Sequence, residues 1–223
     1  FEKRTILYTN YTQKEKSKIT KSQEVDVINK LLEIDEIDIN YTIGDYNLFC
    51  YACKFNQIEI AKKIIQSKKF NVNQYLCKNG NSPLMVAIES KNVEIAELIL
   101  NQQETNINHQ NFVQDTALIL AVQCNLSKIV NLLISDKRFD QIESQINYAF
   151  LISNDEISKQ LISIKDLNIN FYNDKIQFGM MLKLDTPLIV SANYNYIEKV
   201  DLIIHCESFD PIKSQVKEAI QIA

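Results

Sequence analysis

The sequence predicts an all-α solenoid of stacked helix-turn-helix units joined by hairpin loops, with about five to six full or partial repeats. The first observation behind this prediction is a triplet that closes successive stretches of helical apolar spacing. It occurs as Asp38-Ile39-Asn40, Asn71-Val72-Asn73, Asn106-Ile107-Asn108 and Asn168-Ile169-Asn170. The first two intervals are 33 and 35 residues. A period in this range is typical of repeat proteins built from short helices.

The second observation is that each unit opens with a residue able to cap a helix. The openings align at Asn47, Ser82, Thr116, Ser144, Thr186 and Ser214. Side chains of this kind can accept a hydrogen bond from a free amide of the first helical turn. After Ser82 and Thr186 comes a proline, whose missing N–H costs nothing at the first helical position. Each opening therefore predicts the first helix of a unit.

The third observation is a small residue five positions after every opening. These residues are Ala52, Ala87, Ala121, Ala149, Ser191 and Ala219. Helices can approach closely only where a side chain is small, so this position predicts packing between helices. Seven residues further on lies a second mark, at Glu59, Glu94, Lys128, Glu156 and Glu198. A carboxylate suits the positive end of a helix dipole, so this mark predicts the start of a second helix.

The most complete unit lies between Gly80 and Asn108, and it resembles an ankyrin repeat. Ser82-Pro83-Leu84 matches the start of the family's Thr-Pro-Leu-His pattern, and Asn106-Ile107-Asn108 matches its Asp-Val-Asn-like segment. The family's histidine is replaced throughout, by Cys50, Met85, Ile119 and Ile189. The resemblance therefore implies the ankyrin fold, with apolar packing in place of a polar network and with less rigid hairpins.

The repeat boundaries predict one ankyrin-repeat domain over residues 1–223. Residues 1–40 form an N-terminal capping or degenerate repeat, in which Val25 to Leu32 resemble a second helix. The units that follow are 41–75, 76–110, 111–143, a short repeat at 144–170, a repeat with a hairpin insertion at 171–212, and a truncated repeat at 213–223. The insertion, residues 171–185, is either a contact loop or a tolerated length variant. Because the chain starts without Met and stops inside a unit, we expect a segment of a longer protein.

Composition and charge exclude several classes of function. The chain is 46% hydrophobic and 23% charged, with only three glycines, so a glycine-rich phosphate loop is not expected. No apolar run approaches the roughly 20 residues that span a bilayer. A net charge of −4 and a pI of about 5.3 argue against nucleic acid as a partner. We expect an intracellular, cytoplasmic protein without a membrane span.

The cysteines and histidines do not predict chemistry. Cys50 and Cys53 form a C-x-x-C pair, but no second pair completes a zinc site, so buried thiols are the preferred interpretation over metal or redox roles. His109 and His205 have no triad partners around them. The sequence therefore predicts no enzyme activity, no metal and no cofactor.

The ankyrin resemblance implies binding of a protein partner through hairpin tips and the concave surface made by the first helices. Position by position, the implied binding residues are Tyr46, Phe55, Lys78, Asn79, Asn81, Glu89, Phe112, Val113, Asp115, Gln123, Lys183, Asp185 and Tyr194. Their aromatic members are either binding anchors or fillers of gaps between neighbouring units.

The function predicted from the sequence is a non-catalytic scaffold or adaptor for protein–protein interaction. Two alternatives from other classes stay open. In the first alternative the chain is the recognition or regulatory segment of a larger enzyme. In the second it is a structural component of a large assembly.

Overall fold

The fold is known from a computed structural model that describes residues 21–34, 38–41, 47–67, 69–74, 79–141, 145–164, 167–170 and 186–211. Within these ranges the regular secondary structure is helical, apart from one isolated antiparallel bridge between Gln110 and Thr116. The predicted all-α class is confirmed.

A single helix is followed by five helix pairs. Helix α1 spans Lys21–Leu32. The pairs, numbered one to five, are α2 (Leu48–Lys54) with α3 (Ile58–Gln66), α4 (Pro83–Glu89) with α5 (Val93–Leu100), α6 (Ala117–Gln123) with α7 (Ser127–Ile134), α8 (Ile146–Ile152) with α9 (Asp155–Ile162), and α10 (Pro187–Asn193) with α11 (Ile197–Ile204).

The pairs stack into two layers of helices. Each first helix contacts the first helix of the next pair, from α2 through α10, and the second helices do the same from α3 through α11. Helix α1 packs on α3 and so occupies the place of a second helix, as the sequence predicts. Each helix pair is thereby covered by the next pair, and one continuous apolar core runs the length of the described stack.

The small residues lie where the first helices meet. Ala52, Ala87, Ala121, Ala149 and Ser191 have no exposed surface. Their predicted packing role is confirmed, while Ala219 lies outside the described residues.

Three of the six predicted caps act as expected. Asn47, Ser82 and Thr116 each accept a hydrogen bond from the backbone N–H three residues later. Thr186 is also the residue before its helix, although its side chain accepts no first-turn bond. The predicted opening at Ser144 is wrong by one residue, because α8 begins at Ile146 after Gln145 in the left-handed region (φ 55°). Ser144 and Ser214 themselves lie outside the described residues.

The triplet makes two kinds of hydrogen bond, one within the triplet and one to the next unit. In Asn106-Ile107-Asn108, the first side chain accepts from the backbone N–H of the third residue at 3.1 Å, which closes a tight turn. The middle residue is buried at Ile39, Ile107 and Ile169 and partly buried at Val72. The third residue reaches the next unit: Asn108 Nδ2 donates to Arg138 O at 2.7 Å and its Oδ1 accepts from Asp140 N at 3.1 Å.

The same bridge recurs along the stack and forms a ladder of side-chain amides. Asn40 donates to Lys69 O, Asn73 to Glu104 O and Asn170 to Ser208 O, at 2.6 to 2.9 Å. Where the third unit lacks the triplet, Gln141 Oε1 accepts from Asn168 N at 3.2 Å. A glutamine thus continues a contact that the triplet makes elsewhere.

The turn between the two helices of a pair is nearly constant, with one exception. In pairs one, two, three and five it has three residues, and the middle one is left-handed, at Asn56, Lys91, Asn125 and Asn195. In pair four the connection has only two residues, and Ser153 is extended (φ −72°, ψ 157°). This shorter turn has no left-handed residue. Of the carbonyl groups at the end of α8, Phe150 O accepts from Ser153 N at 3.4 Å and from Ser153 Oγ at 2.7 Å.

Lys199 of the next pair supplies donors to those carbonyl groups. Its Nζ donates to Phe150 O at 2.8 Å and also to Leu151 O. Its ammonium lies 5.6 Å from the centre of the Phe150 ring and 5.2 Å from that of Tyr196. Lys199 is only 5% exposed. A buried lysine therefore joins pairs four and five.

Lys199 replaces a buried isoleucine. Lys199 is the third residue of α11. The third residue of each of the other four second helices is isoleucine, at Ile60, Ile95, Ile129 and Ile157. The exchange occurs in the unit that follows the shortened turn, and it places the lysine ammonium against the end of α8.

The amide ladder predicts a loss of stability in Asn108→Ala. The substitution leaves Arg138 O and Asp140 N without this partner, and we expect the free energy of unfolding to fall by about 1–2 kcal/mol. Asn101→Ala removes the same side chain from an exposed helix end and should change it by less than about 0.5 kcal/mol. Urea unfolding followed by far-UV circular dichroism measures both. Equal effects would contradict the ladder's role.

Lys199 predicts a pH dependence of stability. Burial lowers the pKa of Lys199 from 10.5 to about 8, against a smaller opposing effect of Asp155. Between about pH 8 and pH 10.5, Lys199 is protonated in the unfolded chain and largely deprotonated in the folded chain. The stability of the wild type therefore rises with pH over this interval. Lys199→Met has no such titration. Its stability relative to the wild type should therefore fall by about 1–2 kcal/mol over this interval. Urea unfolding across the interval measures the difference, and a constant difference would contradict the prediction.

Candidate partner-binding site

The hairpin before α6 carries two adjacent exposed apolar side chains at its tip. Phe112 is 69% exposed and Val113 is 61% exposed. Asn111 holds the tip, because its Oδ1 accepts from Val113 N at 3.0 Å and from Asp115 N at 2.9 Å. We call Phe112 and Val113 the apolar tip.

The apolar tip is tied to the preceding hairpin by polar contacts. Phe112 N donates to Asn79 O at 2.8 Å, and Asn111 Nδ2 donates to Asn81 Oδ1 at 2.8 Å. Asn81 Nδ2 in turn donates to Glu89 Oε2 at 3.0 Å. Asn81 and Asn111 are both buried. The predicted apolar packing is found at Cys50, Met85, Ile119 and Ile189, which are buried, and the asparagines add a polar network between the two hairpins.

Gly80 makes room for the ring of Phe112. It adopts φ +78°, in the left-handed region that favours glycine. A Cβ atom placed on Gly80 would lie 2.8 Å from two carbon atoms of the Phe112 ring. His109 Nε2 also lies 2.8 Å from Gly80 O. The ring thus rests on bare backbone, which explains how it can be both fixed and exposed.

Two acidic residues are linked to the apolar tip through Asn111, Asp115 by its backbone N–H and Glu89 by way of Asn81. Burial raises the pKa of Asp115, and no described group donates to its carboxylate. The pKa of Tyr148 on α8 is also raised, first by burial and then by the negative charge of Asp115. Glu89 is exposed at the end of α4, and its carboxylate accepts from Asn81 Nδ2 at the start of that helix. In the described residues neither carboxylate is part of a salt bridge.

The next hairpin base contacts this region from the other side. Gln145 Nε2 donates to Gln114 O at 2.8 Å, so α8 and Tyr148 are held beside Asp115. The structure therefore joins three first helices, α4, α6 and α8, to one hairpin tip.

The predicted aromatic residues do not form a single cluster. Phe55 and Tyr194 are about half exposed, but they end the first helices of pairs one and five, opposite the hairpins. Phe55 contacts Tyr51, with ring centres 4.4 Å apart, and Tyr194 stacks on Tyr196 at 5.8 Å. These two residues therefore lie apart from Phe112.

The remaining predicted binding residues fall into three groups. Asn79 is half-buried and Asn81 has no exposed surface, so both lie beneath the tip. Gln123 is exposed at the end of α6. Tyr46, Lys78, Lys183, Asp185 and the insertion at residues 171–185 lie outside the described residues.

The Cys50 and Cys53 pair belongs to the core. Cys50 and Cys53 are buried core thiols, as the sequence predicts. Among the described residues no group of three or more His, Cys, Asp or Glu side chains could hold a metal ion. No described helix is long and apolar enough to cross a membrane.

Sequence reasoning missed Asn111 and Gly80 as parts of the site. Gly80 is one of only three glycines and stands between two asparagines, which was an available signal for a special backbone conformation. Asn111 precedes two apolar residues in a hairpin, a position where asparagine often accepts from the following backbone amides.

The contact between Gly80 and Phe112 predicts a double-mutant result. Gly80→Ala should lower the free energy of unfolding by about 1–3 kcal/mol, through the positive φ and the clash with the ring. In a Phe112→Ala background only the backbone cost remains, so the same change should cost about 1 kcal/mol less. Urea unfolding of the four proteins gives the coupling. Additive effects would show that the ring does not rest on Gly80.

Comparison with known proteins supports the repeat assignment. The family model described as "Ankyrin repeats (3 copies)" matches residues 19–111 and 49–147, together more than half the chain. A protein of Microplitis demolitor bracovirus (isolate Webb), named I-Kappa-B like protein G2, is 28% identical over 131 residues, which cover 54% of this chain and 77% of that protein.

Solved structures show the same fold at low sequence identity. An ankyrin repeat domain from Acinetobacter baumannii AYE aligns with a TM-score of 0.63 at 17% identity, covering 82% of this chain and 93% of its own. The human ASB11 ankyrin repeat domain aligns with a TM-score of 0.53 at 22% identity, covering 71% of this chain and 68% of its own. With the triplets, the caps and the stacked helix pairs, these matches show that the chain belongs to the ankyrin-repeat family.

Proposed function

We propose that this ankyrin-repeat chain is a non-catalytic scaffold or adaptor that binds a protein partner at the apolar tip and the concave surface beside it. The observation that carries the proposal is the exposure of Phe112 and Val113 on a hairpin that buried asparagines hold in place. Exposed aromatic residues on a fixed backbone are typical anchors of protein interfaces.

The rigidity of the tip supports binding over simple tolerance of exposed apolar residues. A side chain that is already ordered loses little conformational entropy when a partner covers it. Phe112 has this property because its backbone N–H is bonded to Asn79 O and its ring rests on Gly80. A gap-filling aromatic would instead be expected to lie mostly buried between units.

The comparisons are consistent with a regulatory binder. Ankyrin repeat domains are typically interaction modules without catalytic activity, and one relative carries an I-Kappa-B-like name. The chain's acidic charge favours a protein partner over nucleic acid. An intracellular, cytoplasmic role is part of this proposal.

The proposal predicts loss of a partner in the double variant Phe112→Ser and Val113→Ser. Both side chains are exposed, so the fold should be retained while binding falls by about tenfold or more. Quantitative affinity capture from native lysate, read by mass spectrometry, measures the loss beside the wild type.

The matched control is the double variant Leu132→Ser and Ile204→Ser, which removes two exposed apolar side chains from second helices. Its captured proteins should equal those of the wild type. A partner lost only in this control would place the interface on the second helices and favour a structural role in an assembly.

A further inference from the structure

We propose that the partner segment presents a basic side chain, arginine or lysine, next to an apolar side chain, so that the apolar one covers Phe112 and Val113 while the basic one meets Asp115 and Glu89. This inference rests on the proposed function and adds the chemistry of the partner. It commits to a protein segment with one cation beside an apolar anchor.

Hydrogen bonds connect the apolar tip to the residues that carry both carboxylates. Asn111 bonds to the backbone of Asp115 and of Val113, and through Asn81 it is linked to Glu89. The backbone of Asp115 and the carboxylate of Glu89 are therefore held relative to the apolar tip in the free protein. A ligand that reaches one of them is placed to reach the others.

Within the part of the chain that the structure describes, Asp115 and Glu89 have no ion-pair partner. Asp115 is half-buried, with no described donor to its carboxylate, and it faces the partly buried Tyr148. Glu89 uses one oxygen for Asn81. Lys91 is nearby, since its charge and that of Glu89 both act on Cys124, but it pairs with neither carboxylate in the described structure.

Several acids of the second helices, by contrast, are paired within the chain. Lys62 bridges Glu59 and Glu94, and Lys128 pairs with Glu97. Asp115 and Glu89 have no such ion pair among the described residues. A cation brought by a partner would supply it, and such a pairing adds specificity and speeds association.

The test uses the whole chain and a displayed library of random peptides of about twelve residues, roughly the length that a single tip and its rim can contact. Peptides are selected on the wild type and counter-selected on the Phe112→Ser and Val113→Ser variant. The strongest binder is then synthesised with its basic residue intact and replaced by glutamine. Affinities are measured by isothermal titration against the wild type, Asp115→Asn and Glu89→Gln.

We expect selected peptides to carry arginine or lysine within a few residues of an apolar side chain. Replacing that basic residue should weaken binding by about tenfold, and Asp115→Asn should do the same. The two losses should not add when combined, because they remove one shared contact. Binding of the intact peptide should also weaken as salt rises from about 50 to about 500 mM.

Glu198→Gln, an exposed acid at the start of α11, is the matched control and should leave the affinity unchanged. Asp115→Asn should not lower the unfolding midpoint, because it removes a half-buried charge that has no ion-pair partner among the described residues.

The outcomes separate this inference from the proposed function. Peptides that need Phe112 but carry no basic residue, or whose losses simply add, would overturn the basic-partner inference and leave the proposed function in place. Selection that yields no peptide dependent on Phe112 would overturn both.

Discussion

The amide bridge at the end of each triplet is the interaction on which the rest of the structure depends. A helix pair of this size cannot bury its own apolar faces, so each unit needs its neighbour. Hydrophobic contact alone is not directional. Asn73 and Asn108 add direction, because each amide satisfies a carbonyl and an N–H of the next unit at one spacing only. The register of every hairpin, and with it the place of Phe112 over Gly80, follows from that spacing.

The periodic part of the fold could be predicted from the sequence because it depends on local chemistry. Caps such as Asn47 and Ser82, and small residues such as Ala87, act through neighbours close in the chain or at a fixed repeat distance. Irregular contacts could not be predicted in the same way. Gln145 starts its helix from a left-handed conformation, and the consequence of Lys199 depends on a shortened turn 46 residues earlier, at Ser153.

For the candidate site, a position in the repeat indicates the face of the molecule but not the exposure of the side chain. Asn81 and Phe112 both belong to the predicted set, yet one is buried and the other is 69% exposed. Exposure depends on which neighbour leaves room, and here that neighbour is a glycine in the preceding hairpin. The same contacts that bury Asn81 make Phe112 a fixed feature of the surface. Structural and binding roles are thus divided between adjacent residues of one network.

Lys199 also limits how this array could evolve. Repeat proteins commonly gain, lose or exchange units, because one interface between neighbouring units resembles the next. Such an interface is called a seam below. The seam between pairs four and five is different, since Lys199 has its acceptors only at the end of α8. Duplicating pair five, or deleting pair four, would place its ammonium group against a first helix that ends in a three-residue turn instead of the two-residue turn after α8. Recombination at this seam is therefore disfavoured, and the two units are expected to be inherited together.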